Sequence, residues 1–269
     1  MHYKKYTVAL VLLFLSCAKN PFTGKSTMAL VDNSQIFPSA FQQYGTFLKD
    51  NKVIAGTADA KKVEVVGMKI KAAAEKWLNA NGYTDYLKDY KWEYHLVENK
   101  EVNAWCMPGG KIVVYSGILP ITQDEAGLAT VLGHEVSHAL ANHGQQRMSA
   151  GILQQAGAAG VAVATGGKSE ETQQIAMLAY AGASQYGGML PFSRSHESEA
   201  DMIGLKLMAI AGYNPDKAIN FWQRMASQSG GNKPPEFLST HPSDETRIAA
   251  LRRLVPEAKA EAAKFGVKF

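Results

Sequence analysis

The spacing of apolar side chains predicts a long amphipathic helix early in the chain. Between residues 57 and 79 they recur at every third or fourth position, which places them on one helix face. They are Val63, Val66, Ile70, Ala73 or Ala74, and Trp77. Asn81 and Gly82 follow directly and are typical of a helix end.

A shorter period follows and predicts a small sheet. Trp92, Tyr94 and Leu96 alternate with polar residues, as on a half-buried strand. Residues 101–107 and 111–115 predict two further strands, because Pro108, Gly109 and Gly110 between them favour a turn.

Helical patterns dominate the second half of the chain. Thr122 and Glu125 predict a capping box that opens a helix running to about His143. Residues 150–167, built from Ala, Gly, Val and Gln, fit either a close-packed helix or a mobile flap. Further helices are predicted over 170–186, from Ser193 or Ser195 to Ala211, from Asn214-Pro215, from Ser243 and from Pro256. The fold class expected is α+β, mostly α, with one small mixed sheet.

The N-terminus predicts export. Lys4 and Lys5 precede an apolar run over residues 8–15 that is too short to cross a bilayer, which indicates a signal peptide over residues 1–16. Cys17 follows a small residue and Phe14-Leu15, a pattern that resembles the bacterial lipobox, in which the Cys becomes the acylated N-terminus. The alternative is an ordinary signal peptide or an uncleaved anchor.

Composition and charge exclude several classes of function. An apolar content of 46% with 19% charged residues is that of a globular protein. Residues 1–16 hold two lysines and no acid, so the remaining chain carries 26 basic and 24 acidic side chains. This nearly neutral balance of charge does not indicate a nucleic-acid-binding surface. If Cys17 is acylated, Cys106 has no partner within the chain, and no disulfide framework can form.

The sequence His134-Glu135-Val136-Ser137-His138 predicts a metal site. Two imidazoles four residues apart lie on one face of a helix, close enough to bind one ion. Neutral imidazole suits Zn²⁺, which in catalytic sites keeps a fourth position for water. Glu135 would then accept a proton from that water as general base. A chance match of the five residues is the alternative.

A third ligand has to come from elsewhere in the chain. The metzincin pattern fails because Ala141 and Gly144 stand where it needs Gly and His, so His143 is interpreted as structural or as a support to the ligands. A thermolysin-like acid soon after the motif is also absent, since no Asp or Glu occurs between residues 139 and 169. The cluster at 194–201 remains, in which Glu197 and Asp201 share one helix face. A solvated acidic patch at a helix start is the alternative.

Three segments in this order resemble one family. They are His-Glu-Val-Ser-His-Ala-Leu, then Ser-Arg-Ser-His-Glu-Ser-Glu-Ala-Asp, then Ser-Thr-His-Pro-Ser-Asp-Glu-Thr-Arg-Ile. They resemble the zinc metallopeptidases related to the CAAX prenyl endopeptidase, which include bacterial exported lipoproteins and the mitochondrial Oma-type protease. The resemblance implies a zincin-like (gluzincin) fold and one Zn²⁺ per chain. It covers roughly residues 20–255.

The resemblance also implies a role for each site residue. His134, His138 and Glu197 would bind zinc, Glu135 would be the catalytic base, and Asp201 would support a ligand. His241 would donate a hydrogen bond to the oxyanion. Asn103 and Ala104 would lie at a sheet edge beside the cleft and bind an extended peptide.

From these inferences we expect an endopeptidase of the bacterial cell envelope. It would be lipid-anchored in the periplasm, at the outer membrane, and would act on unfolded or extended polypeptides, with the outer-membrane assembly machinery as a further partner. Residues 17–50 would form an anchored tether and extended segment, and residues 51–269 the peptidase domain. Two alternatives stay open: an assembly factor that binds unfolded strands with a structural zinc, and a small-molecule hydrolase. Whether residues 145–192 gate the site is open as well.

Overall fold

A computed structural model describes residues 17–228, 235–241 and 245–269. The chain divides into two compact units, a smaller one with residues up to Ile36 and Asn142–His196, and a larger one with Phe37–Ala141 and Glu197–Phe269. The predicted signal peptide over residues 1–16 and the predicted helix start at Ser243 lie outside the described residues.

The described strands all lie within residues 17–115, and the described elements after them are helices. The strands are β1 (Cys17–Lys19), β2 (Ser26–Met28), β3 (Val53–Ile54), β4 (Glu93–Val97), β5 (Ala104–Met107) and β6 (Lys111–Tyr115). The helices are α1 (Asn33–Asp50), α2 (Ala58–Ala80), α3 (Leu119–Thr122), α4 (Glu125–Leu140), α5 (His143–Thr165), α6 (Glu170–Ser184), α7 (Leu190–Ile210), α8 (Asp216–Ser227), α9 (Glu236–Thr240) and α10 (Glu245–Ala263). The predicted fold class, mostly helical with a small mixed sheet, is confirmed.

The larger unit is built around a four-stranded sheet in the order β3-β4-β6-β5. β4 and β6 run parallel, in the register Tyr94 to Ile112, and the other neighbours run antiparallel. β5 is therefore an edge strand. It begins at Ala104 rather than at the predicted residue 101, and before it the Val102 carbonyl, on the edge that faces away from β6, accepts a hydrogen bond from the Phe237 amide at 3.1 Å.

Helix α2 confirms the amphipathic pattern and supplies much of the core of this unit. Thr57 caps its start, since the side chain accepts a hydrogen bond from the Ala60 amide at 3.1 Å. The predicted apolar positions, including Val63, Val66 and Ile70, are fully buried. They pack on the motif helix α4, so the hydrophobic face of one helix holds the other in place.

Helix α4 has different ends from those predicted. Asp124, not Thr122, is its N-cap and accepts a hydrogen bond from the Gly127 amide at 2.8 Å. Thr122 instead ends the short helix α3, which Pro120 favours at its start. The helix stops at Leu140, short of His143, because Asn142 takes the left-handed conformation (φ 55°) that Asn tolerates.

Two glycines bring α4 and α7 unusually close. A Cβ atom on Gly204 would lie 2.9 Å from both the carbonyl carbon of Gly133 and the amide nitrogen of His134. Conversely, a Cβ on Gly133 would lie 2.9 Å from the Gly204 oxygen. The two backbones can meet at this distance only because neither residue has a side chain.

We expect Gly204→Val to disturb both stability and the site, because the added atoms would force α7 away from the residue that precedes His134. The free energy of unfolding should fall by about 1–3 kcal/mol, the usual cost of overpacking a core. Chemical denaturation measures this loss, and a zinc titration measures the accompanying fall in metal affinity. Gly45→Val in α1 is the matched control, since nothing lies within 4 Å of a Cβ there. Equal stability and zinc affinity in the two variants would contradict the close crossing.

The smaller unit combines a two-stranded sheet with helices α5 and α6. β1 and β2 are antiparallel, with Cys17 opposite Met28. The Leu30 amide donates a hydrogen bond to Ser149 Oγ at 3.0 Å, which ties the segment after β2 to α5. His143 and His196 stack with ring centroids 4.0 Å apart. His143 thus packs inside this unit, in line with its structural interpretation.

Several predicted boundaries in the helical half are wrong. Gly187 and Gly188 do not end a helix, because a π-helical turn over Gln185–Met189 leads directly into α7. Ser193 and Ser195 accordingly lie inside α7 rather than at its cap, and Ser195 Oγ donates to the Phe192 carbonyl at 2.9 Å. α8 starts one residue later than predicted, at Asp216, whose amide bonds to Asn214 Oδ1 at 3.0 Å.

Two further expectations differ from the structure. Residues 33–50, expected to belong to an extended segment, form helix α1 despite Pro38. Pro256 does not begin a last helix but lies inside α10, where buried Leu251 and Val255 before it and Ala258 after it hold the helix together. Packing therefore outweighs the hydrogen bond that proline cannot make.

No helix within residues 17–228, 235–241 and 245–269 combines the length and the apolar character needed to cross a bilayer.

Candidate metal centre

Helix α4 presents its two histidines to a common point. His134 and His138 are both buried, and their Nε2 atoms lie 3.1 Å apart, one helical turn from each other. The Nδ1–H of His134 donates to Asp201 Oδ1 at 2.9 Å. With Nδ1 protonated, the lone pair of His134 lies on Nε2 and points into the space shared with His138.

Helix α7 brings a carboxylate to the same point. Glu197 Oε2 lies 3.2 Å from His134 Nε2, and Glu197 Oε1 lies 3.3 Å from His138 Nε2. Asp201 is one turn further along α7, which is why it reaches the far nitrogen of His134. The structure thus places Glu197 and Asp201 as the sequence predicted, on one helix face toward the two imidazoles.

Asp201 is held by two residues that the sequence reasoning did not single out. Arg247 donates to both carboxylate oxygens of Asp201, from Nε at 2.8 Å and from Nη2 at 2.7 Å. The guanidinium lies over the ring of Trp222, 3.5 Å from its centroid. A bidentate pair stacked on an aromatic ring fixes the direction of the carboxylate, and through it the ring of His134.

His241, in the segment after α9, completes the group. Its Nδ1 donates to Glu197 Oε2 at 2.8 Å and lies 3.1 Å from His134 Nε2. Its Nε2 lies 3.3 Å from Glu135 Oε1. His241 therefore lies between Glu135 and the predicted ligands, with one ring nitrogen toward each.

The electrostatics of the cluster follow from burial and hydrogen bonding. Burial disfavours the charged form of His134, but hydrogen bonds to Asp201 and Glu197 and the charges of both carboxylates raise its pKa to about 9. Burial also disfavours the Glu197 carboxylate, yet hydrogen bonds from the three imidazoles hold its pKa far below the usual range. The cluster therefore favours a bound positive charge, and a metal ion would replace the proton on His134.

The residues present fit a zinc ion. Among the described residues, one donor atom each from His134, His138, Glu197 and His241 lies within 4.8 Å of the others. Two ligands about 2.0–2.1 Å from a tetrahedral zinc ion lie roughly 3.3 Å apart. The distances among His134, His138 and Glu197, between 3.1 and 3.3 Å, match that value.

The edge strand β5 lies beside the motif helix. α4 and β5 are in contact, and burial, followed by the charge of Glu135, raises the pKa of the Cys106 thiol well above its usual value. The Asn103 carbonyl accepts a hydrogen bond from the Tyr115 amide at 3.0 Å. In an antiparallel pair the bonding direction alternates, so the carbonyl of Ala104 and the peptide groups of Cys106 point away from β6.

The structure brings together His134, Glu135, His138, Glu197, Asp201 and His241 within the larger unit. Their assignment as ligands, base and supporting residues stays a prediction. Arg247 had a signal in the sequence, since it stands in the third quoted segment, six residues after His241. Trp222 had none, because an aromatic residue on an amphipathic helix is normally read as core.

Comparison with known proteins identifies a family whose sequence profile contains the residues of this cluster. The sequence profile of peptidase family M48 matches residues 69–255, which include every residue of the cluster. The chain is 38% identical over 176 residues to "Mitochondrial metalloendopeptidase OMA1" of Schizosaccharomyces pombe, covering 65% of this chain and 50% of that protein. It is 35% identical over 204 residues to the protein of the same name from Saccharomyces cerevisiae, covering 73% and 56%.

A bacterial relative is similar over a comparable length. The "Beta-barrel assembly-enhancing protease" of Yersinia pestis is 34% identical over 173 residues, covering 62% of this chain and 35% of that protein. The chain thus spans between about a third and a little over half of these relatives. Since the family profile covers more than half of the chain and contains the whole cluster, the chain belongs to peptidase family M48, the metallopeptidase family that its three segments resemble.

Proposed function

We propose that the chain is a zinc-dependent endopeptidase of the bacterial cell envelope that hydrolyses misfolded or unassembled envelope and outer-membrane proteins. The observation that carries the peptidase chemistry is the convergence of His134, His138 and Glu197 beside the carboxylate of Glu135. A purely structural role would not require an acid in that position.

The proposed reaction is the addition of water to a peptide carbonyl. A bound zinc ion would lower the pKa of a water molecule toward ~7 and polarise the carbonyl of the substrate. Glu135 accepts the proton of the attacking water and later delivers it to the leaving amine. Its buried position keeps the carboxylate away from bulk solvent, so the proton stays with the reacting groups.

His241 stabilises the negative charge that develops on the carbonyl oxygen. One of its nitrogens lies 2.8 Å from Glu197 and the other 3.3 Å from Glu135, so the ring lies beside both the predicted base and a predicted ligand. Hydrogen-bond donors aimed at a developing oxyanion contribute strongly to hydrolysis of acyl compounds.

Strand β5 offers a place for the substrate backbone. An extended peptide can pair with an exposed edge through main-chain hydrogen bonds, which do not depend on its side chains. The peptide groups of half-buried Cys106, which point away from β6 and lie near Glu135, would supply these bonds, whereas Ala104 is almost fully buried and could pair only if the residues that cover it moved. Such pairing would favour unfolded chains, since a folded protein does not present a free strand.

The envelope location rests on the N-terminal pattern. Lys4, Lys5 and the apolar run before Cys17 support export and acylation, with attachment to the outer membrane. The name of the Yersinia relative refers to β-barrel assembly, which supports outer-membrane proteins as the substrate class and their assembly machinery as a partner.

A second candidate function draws on His241. With its proton on Nε2 instead of Nδ1, His241 would free Nδ1 to bind an ion, the cluster would offer four side-chain ligands, and a closed set of four is typical of a structural zinc. The chain would then be an assembly factor that holds unfolded strands at β5 without cutting them.

Metal removal separates the two functions. The purified full chain should contain one zinc ion by elemental analysis and should cleave denatured casein or an unfolded outer-membrane β-barrel. A chelator should abolish cleavage, and added zinc should restore it, because the ligands persist after the ion leaves. A protein that holds zinc, binds unfolded chains and cuts none of them would instead support the assembly factor.

A further inference from the structure

The smaller unit carries a helical hairpin that buries almost nothing. We call residues 143–184, helices α5 and α6, the α5–α6 hairpin. α6, described over its whole length, contains no buried residue, and the buried residues of α5 are confined to its first two turns, ending at Ser149. Two helices that bury so little apolar surface cannot offset the conformational entropy of ordering them. Another surface must cover the hairpin.

Hydrogen bonds join the two helices of the hairpin to each other. Tyr180 donates its hydroxyl to the Gln154 carbonyl at 2.8 Å, and Gln154 Nε2 donates to Ser184 Oγ at 3.0 Å. Gly157 lets Tyr180 approach, since a Cβ there would meet the tyrosine hydroxyl. One side of each helix thus contacts the other helix, and the remaining sides face outward.

Those outward sides are apolar. Most of the large hydrophobic side chains that the described residues expose lie in this unit. The most exposed are Val163 (84%), Tyr186 (75%), Leu178 (73%) and Ile175 (60%). Apolar surface of this kind on a soluble protein usually marks an interaction site.

The distribution of charge separates this surface from an ordinary solvated one. No Asp, Glu, Lys or Arg occurs from Met148 to Gly167 or from Thr172 to Ser193. Charged residues stand only at the ends of these two stretches: Arg147, Lys168, Glu170, Glu171 and Arg194. Charged side chains nearly always face water, so two helices that carry charges only at their ends are better suited to a partly non-aqueous surrounding than to bulk solvent.

The chain before β1 indicates which surface covers the hairpin. The apolar run of residues 8–15 ends just before Cys17, the first residue of β1. Cys17 is paired with Met28, and Met28 lines an apolar cavity of about 380 Å³ together with Leu153, Tyr180 and Phe192. Either the apolar run of residues 8–15, if it is not cleaved, or acyl chains on Cys17 would bring lipid close to the part of the smaller unit that contains Met28 and this cavity.

We infer that the α5–α6 hairpin lies in the surface of a lipid bilayer, with its apolar sides among the outer acyl carbons. The hairpin does not span the bilayer, which agrees with the mean hydropathy of its helices. The inference depends only on the smaller unit and stands whether or not the larger unit cuts peptides.

An environment-sensitive fluorophore on single cysteines tests this contact. The full chain with Cys17→Ser and Cys106→Ser keeps residues 8–15, so every variant attaches to vesicles in the same way. An NBD label is attached to the single thiol of the variant Val163→Cys or Leu178→Cys. The matched control is the labelled variant Met68→Cys, at an exposed apolar position on α2 in the larger unit. With vesicles of phosphatidylethanolamine and phosphatidylglycerol, emission at 163 and 178 should rise several-fold and shift to the blue.

The control and the alternatives are distinguished in the same measurement. The label at 68 should not respond, because that helix is not part of the hairpin. Unchanged emission at 163 and 178, in protein shown by flotation to be on the vesicles, would overturn the inference. Blue emission without vesicles together with a dimeric mass would overturn it as well, since a second copy would then cover the hairpin. Blue emission that requires an unfolded polypeptide instead of lipid would point to substrate binding and against a membrane contact.

Discussion

Glu135→Gln should keep the metal and lose peptide hydrolysis. The carboxylate of Glu135 is not among the four converging donors, so the amide should leave zinc binding intact. An amide of the same shape cannot take a proton from water, and loss of a general base costs on the order of 10²–10⁴-fold in rate. Initial rates of casein cleavage, with zinc content measured on the same samples, check both halves of this expectation.

Glu257→Gln is the matched control for this substitution. It makes the same chemical change at an exposed position on α10 and should retain the wild-type rate. A Glu135→Gln protein that cleaves as fast as the control would show that another group acts as base. Loss of zinc together with activity would show instead that Glu135 helps to bind the ion.

Glu197→Ala should remove zinc from an otherwise folded protein. Two imidazoles then remain from the predicted ligand set, and the affinity should fall well beyond the roughly 10–100-fold typical of losing a residue that only supports a ligand. Asp201→Asn, which loosens the hold on His134 without removing a ligand, should stay within that smaller range. Chelator competition measures both affinities, and zinc should no longer raise the melting temperature of Glu197→Ala.

Glu64→Ala provides the comparison for Glu197→Ala. Glu64 is an exposed residue on α2, and its loss should change neither the affinity nor the melting temperature. Wild-type zinc affinity in Glu197→Ala would mean that the third ligand lies elsewhere. A further His241→Ala substitution would then show whether His241 supplies it.

Some features of the protein follow from local sequence alone. The period of Val63, Val66 and Ile70 predicts α2 because burial of one helix face depends only on spacing. Likewise, alternation over residues 92–96 predicts β4. Two imidazoles on one turn are enough to predict half of the metal site, because a helix fixes their separation.

Other features depend on chemistry that the local pattern does not contain. The local pattern predicts Thr122 as the N-cap of α4. Asp124 is the N-cap instead, because Pro120 favours a separate short helix, α3, that ends at Thr122. Gly187 and Gly188 looked like a helix end, but a π turn carried the chain through them. In each case the local pattern is compatible with both arrangements, and the neighbouring segments decide between them.

The sequence by itself determined the motif, the identity of the acidic helix and the order of the three segments that resemble the family. Only the tertiary structure decided that Arg247, stacked on Trp222, holds Asp201, and that Gly133 meets Gly204 where α4 crosses α7. The physical reason is distance along the chain. Spacing governs what residues on one helix can do together, whereas the contact of two helices depends on packing across the whole unit, which no single segment encodes.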